Sequence, residues 1–285
     1  MVVQRHGHRG GAVAVSAVVL GAIAVTGCAG RADQGGAAGP QVQPVADERP
    51  GAGDPVLTAA ADGLLGAGSA RTRTAMETAA GGTRVTIRGE GGYDFRRRTG
   101  RLTVVLPRDP AGAEEHLPVT ELLTPGALYM KNRGAGVPAD KWVRVDTTTL
   151  EDGNLVTGGA TDPLAAAELL RGAREVAFLG RERIEGTELR HFRGTADIAR
   201  AARIARPHAR GALTAAAKGF TTVTVPFDAY VDDEGRLRKV RHRFSFSNGT
   251  TTVAVTSTTT LYDFGVPVTV RLPDPGDIYA GRIRS

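Results

Sequence analysis

At 285 residues the chain has material for one large domain or two small ones, with a sizeable core, and needs no staples to hold a small fold together. Its single cysteine excludes an intramolecular disulfide, and no Cys/His set has zinc-ligand spacing, so burial of apolar side chains must hold the structure. A formal charge of +6 would admit nucleic acid or an anionic surface as a partner, but aromatics at 5% argue against base stacking, and without Arg5 and Arg9 the basic excess falls to four.

Arg5 and Arg9 form a short positive head before an apolar run from Ala12 to Val25, broken by Gly21 and too short for a membrane span. The pattern predicts a targeting signal over residues 1–27. The run ends in Val25-Thr26-Gly27-Cys28, which resembles the bacterial lipoprotein signal. That resemblance implies cleavage after Gly27 and a diacylglyceryl thioether on Cys28, with acyl chains such as palmitate holding the chain to the outer face of the cytoplasmic membrane. Two acyl chains anchor stably where one is marginal, at about 0.8 kcal/mol per buried CH2. Residues 28–55, rich in Gly, Ala, Gln and Pro without apolar periodicity, read as a flexible tether. The heavy Ala, Gly and Arg usage is that of a high-GC bacterium such as an actinomycete.

A single α+β domain is expected over residues 56–285. Asp54 caps and Pro55 opens a helix along "DPVLTAAADGLLGAGSARTRTAMETA", with Leu57, Ala60, Ala61, Leu64 and Leu65 as its apolar stripe. After Gly81 and Gly82 the period changes to two, and "YDFRRRTGRLTVVL" reads as two strands around a basic turn. Further strands are "LPVTELL", "ALYMKN", "KWVRVD", "EVAFLGRERI" and "TELRHFRGTAD", interrupted by helical stretches from Asp162 and from Asp197 to Phe220. The last third reads as long antiparallel strands turning at Asp233-Glu234-Gly235 and Asn248-Gly249. Val240, His242, Phe244 and Phe246 share one face there, and Arg241, Arg243 and Ser245 the other.

No catalytic constellation emerges. Asp263-Phe264-Gly265 matches the kinase metal triplet, but without a catalytic or phosphate loop it reads as a strand end before a glycine turn. His116, His191, His208 and His242 have no ligand spacing, no nucleophile elbow is present, and the lone thiol is taken by the lipid. Arg96 to Arg98, and Arg200, Arg203, Arg206 and Arg210, are basic clusters: solvated faces, or contacts to anionic headgroups. Asn248-Gly249-Thr250 is formally a glycosylation sequon, which its Asn-Gly turn explains.

The order of pieces is distinctive. A lipobox, a spacer and a capped helix are followed by "GGYDF", "ALYMKNRGAGVPADKWVRVD", "DPLAAAELLRGAREVAFLGRERIEGTELRHFRGTADIARAA", "FDAYVDDEGRLRKVRHRF" and "LYDFGVPVTVRLPDPGDI". Over residues 56 to 278 this resembles the actinobacterial LppX/LprAFG lipoprotein family, related in fold to the carrier LolA. Trp142 matches the family pattern, whereas Tyr230 stands where a late-strand tryptophan is often found. The resemblance implies a strongly curved antiparallel half-barrel with helices covering its concave face, enclosing an apolar cavity for acylated lipids. Its expected lining is Val85, Ile87, Val104, Leu128, Met130, Phe178, Val223, Val225, Phe244 and Phe246. The function expected is binding or transfer of membrane lipids or lipid-linked envelope molecules, without cofactor, metal, nucleic acid or enzymatic step. The alternative is an envelope sensor or interaction lipoprotein whose sheet binds a protein or modulates a membrane signalling partner.

Overall fold

A computed structural model describes residues 54–80, 82–107, 117–132, 136–150, 152–153, 155–156, 162–220, 222–248 and 251–280. The chain groups into two units, residues 1–41 and 42–285, and the described residues all belong to the second. The signal segment and nearly all of the tether lie outside the described residues, as do His116 and the Gly249-Thr250 half of the last predicted turn.

The first helix, α1, runs Pro55–Ala67, where the Asp54 side chain accepts from the Leu57 N–H at 3.0 Å and Pro55 occupies the first turn. It is shorter than the sequence pattern predicts. Gly68 turns the chain at φ 80°, and Ser69–Ala80 forms strand β1 instead of continuing the helix. The reason lies in the alternation of this stretch: Thr72 and Thr74 are buried while Arg71 and Arg73 are exposed, a period of two whose inward members are hydroxyls.

Strands β2 (Thr83–Asp94), β3 (Thr99–Val105), β4 (Val119–Thr124), β5 (Ala127–Lys131) and β6 (Trp142–Asp146) follow as a meander. After α2 (Pro163–Leu169) and a 3-10 turn (Leu170–Gly172), β7 (Ala173–Ile184) and β8 (Thr187–Asp197) form a hairpin. The predicted helical stretch from Asp197 is two helices, α3 (Ile198–Ile204) and α4 (Pro207–Gly219). The break falls at Arg206 because the residue before a proline is pushed out of the helical region, and Arg206 is extended at ψ 152°. Strands β9 (Thr224–Val231), β10 (Leu237–Asn248) and β11 (Thr251–Tyr262) complete the sheet.

All eleven strands form one antiparallel sheet in the order β6-β5-β4-β3-β2-β1-β11-β10-β9-β8-β7, and the two edge strands do not pair, so the half-barrel stays open. Laid flat, eleven strands would span about 48 Å. Yet Val143 of β6 and Phe192 of β8, nine places apart in that order, belong to one buried cluster with the residues of all four helices. Only a strongly curved sheet, with the helices on its concave face, brings both under one helical layer. Close approach also matters in β2: a Cβ on Gly91 would collide with the Arg101 carbonyl oxygen of β3.

On the opposite, outer face Asp228 of β9 is clamped by Arg193 Nε at 2.8 Å, Arg243 Nη2 at 2.5 Å and His191 Nε2 at 2.9 Å. Burial opposes ionisation of this carboxyl, but these hydrogen bonds outweigh it and take its pKa down to about 2. The chain after β11 turns at Asp263 and Gly265, both at positive φ, and reaches Trp142, whose carbonyl accepts from the Tyr279 N–H at 2.8 Å.

Candidate functional site: the space between sheet and helices

The concave wall is apolar over most of its extent. Leu102, Val104, Leu128, Met130, Val225, Phe227, Phe244 and Val255 are all buried against the helical layer or each other. The helices answer with small side chains: Ala165, Ala166 and Ala167 of α2, Ala201 and Ala202 of α3, and Ala209 and Ala216 of α4 are buried. Between these alanines the bulkier Leu57 and Leu64 of α1, Leu164 and Leu169 of α2, Ile198 of α3 and Leu213 of α4 are buried in the same core.

Charge, in contrast, ties the helices to one another. Glu168 of α2, fully buried, accepts from Arg171 Nε at 2.7 Å, from Arg171 Nη2 at 2.8 Å and from the Arg206 backbone N–H at 2.9 Å. Arg171 also meets Asp62 of α1, and the Arg206 guanidinium reaches the same Asp62 carboxylate at 2.8 and 3.0 Å. Burial would raise the Asp62 pKa, but its two guanidinium partners bring it below the ordinary carboxylate value. Two carboxylates and two guanidiniums thus form a neutral clasp joining α1, α2 and the start of α4. It also corrects the expected basic face: Arg206 is engaged in the clasp and Arg200 is buried, so the arginines from Arg200 to Arg210 do not form one solvated stripe.

Among the described residues the polar links between helix and sheet lie at element ends: Arg96, just past β2, donates to the Leu65 and Gly66 carbonyls of α1 at 3.5 and 3.4 Å, Arg174 of β7 meets Asp197, the cap of α3, at 3.5 Å, and the Tyr93 hydroxyl of β2 donates to Asp162, the cap of α2, at 3.1 Å. Burial raises the pKa of both groups, and each also feels the other's charge or hydrogen bond. Beside them lies a cavity of about 60 Å³ lined by Tyr93, Leu123, Asp162, Leu164, His208 and Ala209, among other residues. Its size suits one or two waters, well short of the roughly 300–1,000 Å³ typical of a ligand pocket.

The ten expected lining residues divide. Val104, Leu128, Met130, Val225 and Phe244 are buried in the wall, and Ile87 is half-buried beside it. Val85, Phe178 and Val223 are exposed, contrary to their expected place in an enclosed lining. Val85 lies far along β2 from the helices, Phe178 sits on the edge strand against Phe192 with ring centres 5.4 Å apart, and Val223 precedes β9 in the connection from α4. The side chain of Phe246 lies outside the described residues. Sequence reading missed the wall's contribution from β1, because its inward residues are Thr72, Thr74 and Met76 and resemble no apolar stripe. The threonine alternation against arginine was the available signal.

Among the described residues no helix is long and apolar enough to cross a membrane, and no group of three or more His, Cys, Asp or Glu is placed to hold a metal ion. No family model and no curated protein matches the chain. Among solved structures it is similar to LprF of Mycobacterium bovis, at 15% identity across 79% of this chain and 99% of that one, with a TM-score of 0.41. It is similar to the lipoprotein LppX of Mycobacterium tuberculosis at 14% identity, across 76% of this chain and 100% of that one, with a TM-score of 0.41. A LolA superfamily protein of Nitrosomonas europaea is 14% identical across 80% of this chain and 98% of that one, with a TM-score of 0.31.

Proposed function

We propose that this protein is a cell-envelope lipoprotein, tethered through Cys28, that takes acylated lipid between the concave wall and its helical layer and passes it on without an enzymatic step. The observation that carries this reading is the division of forces among the described residues: the charged clasp binds the helices to each other, whereas they meet the wall mainly through apolar side chains, with polar links at element ends through Tyr93 and Asp162, Arg96 and Arg174. A layer held together in this way moves off the wall as a unit. It then leaves two apolar surfaces for an acyl chain to replace.

The energetics favour a carrier. Exposing a 16-carbon chain to water costs about 13 kcal/mol, while moving it from a bilayer to a dry interior exchanges one apolar setting for another. Transfer is then reversible without a nucleotide. With a cavity of only about 60 Å³ between β2, β4, α2 and α4, uptake requires the helices to separate from the sheet rather than fill a preformed hole. The test is mass spectrometry of an organic extract of the full chain purified from membranes. Acyl lipid near one molecule per chain is the expected result; a clean extract, with no uptake from lipid vesicles afterwards, overturns the proposal.

A further inference from the structure

The middle of the concave wall is not apolar. Thr72 and Thr74 of β1, Thr259 of β11 and His242 of β10 point toward the helices and are 0%, 3%, 2% and 2% exposed. Thr74 and Thr259 are cross-strand partners, Thr259 is opposite Val240, and His242 lies one register step further along β10 beside Ser257. Among the described residues the three hydroxyls and His242 Nε2 have no hydrogen-bond partner. Burying polar groups in this state costs stability, and four on three adjacent strands is a concentration that core packing does not call for.

The space beside them is shaped as well. Thr74 faces Gly89 of β2, where even a methyl group would come within 2.6 Å of the Thr74 hydroxyl oxygen. Thr72 faces Gly91. A side chain at Gly89 would occupy the approach to the hydroxyl; glycine leaves it open.

We propose that Thr72, Thr74, Thr259 and His242 form a polar subsite within the apolar wall that hydrogen-bonds the ester carbonyls or hydroxyls of an uncharged lipid. The proposal rests on the carrier reading and narrows its ligand. Hydroxyls donate and accept, and a neutral imidazole offers one N–H and one lone pair, which suits esters and alcohols. Burial keeps that imidazole neutral, with a pKa lowered to about 3. Among the described residues the cations of these strands offer an anionic headgroup no counter-charge there: Arg71, Arg73, Lys239, Arg241 and Arg243 alternate onto the outer face. The buried carboxyl of Glu121 instead lies on the same wall, in the cross-strand row of Thr72, Gly91 and Leu102.

The test uses the full chain, stripped of lipid, and three probes offered separately: glyceryl trioleate, the hydrocarbon squalane and dioleoylphosphatidylglycerol. Bound lipid is measured by mass spectrometry, for wild type, the Thr74→Val/Thr259→Val double variant and His242→Phe. Wild type is expected to retain trioleate about tenfold better than either other probe, and the double variant to lose that preference while keeping its squalane uptake. Its melting temperature should hold or rise, because it loses no internal hydrogen bond. Unchanged trioleate preference in the double variant, equal uptake of phosphatidylglycerol by wild type, or a fall in melting temperature each overturns the subsite. Equal uptake of squalane and trioleate by wild type overturns the subsite but keeps the carrier, while uptake of none of the three overturns both.

Discussion

His242 sits with its ring centre 5.8 Å from that of Phe244 and 6.5 Å from that of Phe227, and burial lowers its pKa from 6.5 to about 3. As pH falls through 6.5 the unfolded chain takes up a proton that the folded chain refuses, so stability drains away between pH 6.5 and about 3. His242→Phe should flatten thermal stability across that window; slopes that stay parallel to wild type in a pH series of melting curves would contradict this. Asp228 has the usual carboxylate sign: its contribution is full above 3.8 and is lost as pH falls toward about 2. Asp228→Asn should therefore lower the melting temperature at neutral pH and remove part of the acid transition below pH 3.8, read in the same melting series. Sequence alternation placed His242 on the inward face with Val240 and Phe244. Its lack of a partner was not legible, because that depends on Thr259, Thr74 and Gly89, residues of strands far apart in the chain.

At the scale of elements, the end of α1 shows why local patterns run out. Leu57, Ala60, Ala61 and Leu64 mark the helix correctly and are all fully buried, but nothing apolar announces that residues 69–80 change to a strand. Period-two reading looks for alternating apolar side chains, and here threonine takes the inward place. Similarly, Pro207 divides the long alanine-rich stretch into two helices, and the charged clasp then depends on the bend because Arg206 donates to Glu168 from the break itself. Removing one partner from a buried charge network leaves the others uncompensated, at about 3–5 kcal/mol. Glu168→Ala should cost stability of that order in denaturant unfolding, by freeing Arg171 and the Arg206 N–H together. A loss under about 1 kcal/mol would show that the clasp does not hold the layer.

At the largest scale, the described residues form a sheet of eleven strands covered on one side by four helices and open between β6 and β7. If Cys28 carries the anchor, Cys28→Ser should move the protein from the membrane fraction to the aqueous one after cell fractionation, since loss of two acyl chains removes most of the binding free energy. Persistence in the membrane fraction would point to a different attachment. What the sequence determined by itself was local: the capped helix starts, most of the strand periods and the hairpin turns, all set by residues within a few positions of each other. The tertiary structure alone decided that β1 pairs with β11 from the far end of the chain, Thr72 opposite Leu261 and Thr74 opposite Thr259, and that this pairing brings hydroxyls, glycine and imidazole onto one buried wall. Side-chain chemistry is written along the chain, but whether a buried hydroxyl finds a partner depends on what the curvature of the sheet places beside it.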